Sequence, residues 1–232
     1  MKRFAKVVSL ILVLCFVFSL AACGKQAAKI DGKWKYTADF EKILKAAKDS
    51  DELKESEEAQ KALSVLDGPV GDLLKKLKPS VFVELKEDNT MVGSVDNDSL
   101  KSSLETLKAG LPDVLPAVMA ILMDVSEEKA KEQIEDSGMS MEEMTETLMA
   151  QFNVDDMLKE ATTENLEGTY RFEDGKLYFA EKGEKIDTSK YLEVELSSDT
   201  LKITGIKGLE EKDEKEVQAI LPIELERVTE NK

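Results

Sequence analysis

Among the residue types that carry most protein chemistry, this 232-residue chain holds two cysteines and no histidine. Cys15 sits inside an apolar run, whereas Cys23 follows Leu20-Ala21-Ala22 and precedes Gly24, a small-residue stretch of the kind found at a cleavage site. Without histidine, Ser-His and Cys-His nucleophiles and His-ligated zinc sites lose their base or ligand. With 48 acidic residues, close carboxylate pairs arise by chance, and no spacing marks one out for acid–base work. Asp96-Asn97-Asp98 and Glu87-Asp88-Asn89 supply oxygens, but neither follows the D-x-[DN]-x-[DN]-G order of a calcium loop; both read as turns or helix caps. There is no G-x-x-x-x-G-K-[ST] or G-x-G-x-x-G for a phosphate, and Gly68 to Gly71 stand alone. The expectation is a chain that is no enzyme and has no metal site and no cofactor.

Cys23 takes its meaning from what precedes it. Lys2, Arg3 and Lys6 form a basic start, and Val7 to Leu20 is apolar except for Ser9 and Ser19. That run of 14 residues is short of the roughly 20 that cross a bilayer as a helix. Basic start, short apolar run and Leu20-Ala21-Ala22-Cys23 together resemble the signal peptide and lipobox of bacterial lipoproteins. The resemblance implies that residues 1–22 are removed, that Cys23 carries a diacylglycerol and acyl groups of the palmitate kind, and that two or more chains anchor the protein stably to a membrane. The partner implied is the membrane, and the implied location is the outer face of a cell membrane. The Lys-rich and Glu-rich composition favours a single-membrane bacterium, while in a two-membrane cell Lys25 resembles a signal for sorting to the outer membrane.

Loss of residues 1–22 takes three cations, leaving 29 Lys and Arg against 48 Asp and Glu, a formal charge of −19. Such a surface repels nucleic acid and anionic headgroups, so no nucleic-acid partner is expected. Cys15 leaves with the signal, so no disulfide supports the remaining chain, which must be stabilised by packing.

Residues 23–30 read as a lipidated tether and 31–232 as one domain. Trp34, Tyr36, Ala38 and Phe40 alternate with polar residues, the period of a strand. Helical spacing follows from residue 40, interrupted at Gly68-Pro69, then resumes in LLKKL, so 40–78 is a helical segment. Val81 to Leu85 and Thr90 to Val95 form a hairpin. Residues 98–164 are helical, with Gly110 and Pro112 expected to end a first helix, Pro116 to begin a buried one, Ser126 to cap a third and Ser140 with Glu143 to form a capping box; Asn153 with Asp156 marks another start. Five strands complete the chain, at Thr169–Phe172, Lys176–Ala180, Tyr191–Leu196, Leu201–Ile206 and Ile220–Val228, the first two joined by Asp174-Gly175.

This order predicts an α+β fold, an eight-stranded antiparallel up-and-down β-barrel with helical insertions after strands 1 and 3, because closure removes sheet edges. Gly32-Lys33-Trp34 on the first strand with Arg227 on the last resembles the lipocalin and calycin signature, in which a basic side chain stacks on the tryptophan of G-x-W. The resemblance covers three residues; the chain departs from typical lipocalins in lacking a T-D-Y motif and in carrying helices inside the strand order, and it looks more like the small lipocalin-like lipoproteins of bacteria. Connections after odd strands leave a barrel at one end, so both helical segments are expected to cap the end away from the tether.

Seven of nine methionines fall between residues 119 and 157. Met119, Met123, Met141, Met144 and Met149 form a candidate ligand or cap surface, since thioethers make adaptable apolar walls; they would serve equally as core filler between helices. The functional expectation is a non-enzymatic membrane-anchored lipoprotein binding a small apolar ligand in a capped barrel. The alternative is a structural or protein-interaction module of the cell envelope with a packed barrel, and a hydrolase has no positive support.

Overall fold

In the computed structural model, residues 29–49, 60, 63–64, 66–151, 166–209, 214 and 217–229 are described. The eight strands are β1 Gly32–Thr37, β2 Ser80–Leu85, β3 Thr90–Val95, β4 Leu166–Glu173, β5 Lys176–Glu181, β6 Tyr191–Leu196, β7 Thr200–Lys207 and β8 Ile223–Arg227. The described helices are α1 Phe40–Asp49, α2 Pro69–Lys76, α3 Asn97–Met123, α4 Glu127–Asp136 and α5 Met141–Gln151. The strands close in sequence order, β1 to β8, into an antiparallel barrel, and β1 returns to pair with β8. The fold is therefore the expected α+β, lipocalin-like up-and-down barrel with helical insertions after β1 and β3. Two compact units result, a barrel unit from the described parts of residues 1–37, 80–96 and 164–232 and a helical unit from those of 38–79 and 97–163.

The two ends of the barrel differ because the connections differ. At one end the chain turns tightly, through Lys86–Asn89, Asp174-Gly175 and Ser197–Asp199. Asp174 (φ 53°) and Gly175 (φ 73°) both take the left-handed conformation that a two-residue hairpin of matching twist demands, which is what Asp-Gly is suited to supply. At the opposite end the chain leaves for and returns from both helical insertions, and there it forms the loop after β5 and the connection from Gly208 to Pro222. Out of that last connection Val217 enters the core, with Leu209, Ile220 and Leu221 packed against it.

Alternation along the strands fills the interior. Trp34, Val83, Leu85, Met91, Tyr170, Leu177, Leu192, Leu201 and Leu225 point inward, all eight strands contribute, and none of the fifteen buried members of this cluster is more than 8 % exposed. Tyr36, Phe172, Phe179 and Leu196 flank it, partly buried. The outward positions carry charge ladders such as Lys35–Asp96 (2.7 Å) and Lys202–Glu195 (3.1 Å).

Two expectations are corrected. The helix from residue 97 does not end at Gly110 or Pro112; α3 runs unbroken to Met123 with Pro112 and Pro116 inside it. Each proline removes an N–H, leaving the Lys108 and Pro112 carbonyls without their helical partner at a cost of about 3 kcal/mol. Burial of Val114, Leu115 and Pro116 offsets that cost. Gly110 contributes space: a Cβ there would lie 2.3 Å from Leu73 Cδ1, so its missing side chain lets α2 pack closely on α3. The last strand begins at Ile223, not Ile220, because Pro222 has no N–H to donate to a ladder. The expected caps are present: Ser126 Oγ accepts from Lys129 N (3.3 Å), while Glu143 N donates to Ser140 Oγ (3.1 Å) and Ser140 N to Glu143 Oε2 (2.8 Å). The start expected at Asn153 and Asp156 lies outside the described residues.

Close strand packing yields a test. A Cβ at Gly168 would stand 2.5 Å from the Ala180 carbonyl oxygen, a backbone atom that cannot rotate away. Gly168→Ala is expected to cost about 1 to 3 kcal/mol through overpacking. Chemical denaturation followed by the emission of Trp34, the single tryptophan, reads the barrel unit directly, and an unchanged midpoint would contradict the geometry.

Candidate functional site: the sealed end of the barrel

The three signature residues meet at the end with the tight turns. Trp34 pairs with Arg227 across the β1–β8 seam, and the Arg227 guanidinium lies over the indole at 4.1 Å from the ring centroid. The indole is wholly buried and its Nε1 donates to the Ile30 carbonyl at 2.8 Å, so the one polar atom of the ring is satisfied by the segment that leads into β1. Arg227 then uses its fork: Nε donates to Ser198 O (2.6 Å), Nη1 to Asp31 O (2.7 Å) and Nη2 to Lys29 O. A stacked, planar donor fork is what lysine cannot supply.

Gly32 makes this geometry possible. Its φ of 136° is hostile to side-chain-bearing residues, and a Cβ would fall 2.5 Å from Arg227 Nη1. The G-x-W spacing thus has a physical basis: glycine clears the guanidinium's path, and the tryptophan two residues on receives it.

Tyr170, which the sequence did not single out, completes the seal from β4. Its hydroxyl lies 2.9 Å from Asp31 Oδ1 and 2.7 Å from Lys86 O, joining the tether-side segment to the β2–β3 turn. Burial, then the hydrogen bond and charge of Asp31, push the phenol above its ordinary value. Its only sequence signal is its inward parity on β4, which it shares with residues of no special role.

The remaining candidates are dispersed. Cys23 lies outside the described residues. Met119 on α3 and Met141, Met144 and Met149 on α5 are half-buried, whereas Met123 at the end of α3 and Met139 before α5 are exposed, 44 % and 38 %. Within α5 the spacing puts Met141, Met144 and Met149 on one side, away from exposed Glu143, Glu146 and Thr147, with exposed Glu142 at its border. Among the described residues, no three Cys, Asp or Glu side chains are grouped so as to hold a metal ion, and no helix is long and apolar enough to cross a membrane.

Chemically, the sealed end is a knot of donors whose acceptors are main-chain carbonyls of residues 29–31 and of turns; it binds the chain's own entry segment. The architecture and this knot define a lipocalin-like barrel. Comparison with models of protein families, with curated proteins and with solved structures finds no match.

Two outcomes follow. Arg227→Met, which keeps an apolar cover but removes the fork and the cation, should lower barrel stability by about 1 to 3 kcal/mol, shift Trp34 emission to the red and speed proteolysis around residues 29–31. Stability conferred by Tyr170 is fully present below the ordinary phenol range near pH 10 and falls as pH rises beyond it, because the unfolded chain ionises first. The alkaline loss of stability should therefore be smaller in Tyr170→Phe than in the parent protein when unfolding is followed across that range.

Proposed function

We propose that this chain is a non-enzymatic lipoprotein, anchored through acylated Cys23 to the outer face of a cell membrane, whose barrel is a packed scaffold and whose helical unit engages another protein of the envelope. The observation that carries the reading is the density of the barrel core. A ligand chamber of about 300 Å³ or more would leave its lining with reachable surface. Trp34 and Leu177 have none, and the other buried members contributed by the eight strands have almost none. Those positions are filled by side chains, which speaks for the packed-barrel alternative over a ligand enclosed among them.

The anchor is supported by the lipobox and by the sealed end. Lys29 is held by Arg227, so five residues, and six Cα-to-Cα steps, separate the described fold from Cys23. Extended, that span reaches about 20 Å, which holds the barrel close to the membrane surface. Adaptable apolar contact is offered by Met123 and Met139, the exposed large hydrophobic side chains among the described residues.

Two experiments test this. Cys23→Ser should abolish acyl labelling and move the protein from the membrane fraction to the soluble one; continued membrane retention would refute the anchor. A photo-crosslinking residue at Met123 or Met139 should trap one defined envelope protein in intact cells, with no product from the barrel position Lys202. Saturable quenching of Trp34 by a fatty acid, with no crosslinked partner, would instead favour a ligand inside the barrel.

A further inference from the structure

Three hydroxyls of α3 and α5 share one habit. Ser103 Oγ donates to Ser99 O (2.8 Å), Thr106 Oγ1 to Ser102 O (2.9 Å) and Thr147 Oγ1 to Glu143 O (2.8 Å), each reaching back four residues along its own helix. Thr145 departs from it. Its side chain is buried at 2 % exposure and its Oγ1 has no hydrogen-bond partner. An enclosed hydroxyl left unpaired costs about 1 to 3 kcal/mol, and a χ1 rotation toward the carbonyl of Met141 is the ordinary way a helical threonine avoids that cost.

The surroundings on α5 are apolar and adaptable. Met141 and Met149 stand one turn before and one turn after Thr145, with Met144 beside them, all half-buried, on the side of a helix that packs against α3. Thioether side chains can repack around an inserted chain at little cost, and the orphan hydroxyl supplies a single polar anchor. The buried polar side chains among the described residues are Ser80, Ser103 and Thr145, all uncharged. A ligand carboxylate buried there would have to compete with Glu146 for Lys108, whose Nζ lies 3.6 Å from Glu146 Oε1.

We propose that this α5 face of the helical unit binds a neutral amphiphile, a lipid alcohol or a similar molecule with one hydrogen-bonding oxygen. Its apolar chain lies along Met141, Met144 and Met149, and its oxygen pairs with Thr145 Oγ1. The site goes beyond the scaffold function above and does not depend on a protein partner.

The test uses the mature chain carrying Cys23→Ser, so that no covalent acyl group competes, with 1-decanol, decane and decanoate as probes. Binding is read by native mass spectrometry and by the ¹³C-methyl resonances of the methionines. Expected are shifts confined to Met141, Met144, Met149 and their neighbours, and 1-decanol bound about tenfold more tightly than decane and than decanoate, or ~1.4 kcal/mol. Thr145→Val, which keeps the shape and removes the hydroxyl, should abolish the preference for alcohol over alkane, and Thr145→Ser should retain it. Equal binding of alcohol and alkane, a preference that survives Thr145→Val, or shifts elsewhere would overturn the proposal. So would the absence of any probe binding; a higher melting temperature for Thr145→Val would then show the hydroxyl to be only an unrelieved cost.

Discussion

The β1–β8 seam is narrow, and the barrel depends on it. Its ladder comprises Trp34 opposite Arg227 and Lys35 opposite Glu226, extended by the Val228 N–H donating to Lys33 O. Left unpaired, β1 and β8 would each present an open edge, the most aggregation-prone feature a sheet can expose. The stack of Arg227 on Trp34 closes that edge where backbone pairing alone is short. Because the same guanidinium holds the carbonyls of Lys29 and Asp31, closure of the barrel and capture of its entry segment are one event.

From that closure the division of labour follows. An up-and-down barrel sends alternate connections to opposite ends, so insertions after β1 and β3 leave the sealed end free of long segments. Tight turns at that end leave space for the knot of Trp34, Arg227, Asp31 and Tyr170. The helical unit has its own means of stabilisation, with buried Val114, Leu115, Ala130 and Ile134, and a glycine at 110 that admits Leu73. The barrel interior is closed from both directions by the chain itself, by Ile30 before β1 and by Val217 from the β7–β8 connection.

The proposed site at Thr145 and the proposed packed scaffold would together assign apolar recognition to the helices. The physical contrast is between two kinds of interior. The barrel core consists mainly of branched aliphatic and aromatic side chains with few rotamers, a composition suited to a rigid scaffold. The inward side of α5 is built of methionines around one unpaired hydroxyl, a composition suited to rearrangement.

Local chemistry was legible in the sequence by itself. Period-two runs marked all eight strands, Asp174-Gly175 marked a hairpin, and Ser126 and Ser140 marked helix starts, because each signal acts over a few residues. The contact of Gly32, Trp34 and Arg227 was legible through the resemblance to the lipocalin signature, with strand order making the first and last strands of a closed barrel neighbours. Only the tertiary structure decided whether α3 would survive Pro112 and Pro116, that Tyr170 would join Asp31 to Lys86, how deeply Trp34 and Leu177 would be buried, and that Thr145 would be enclosed without a partner. Each of those outcomes is a balance between burial and a local penalty, and the burial is supplied by residues far away in the chain, at separations no sequence period encodes.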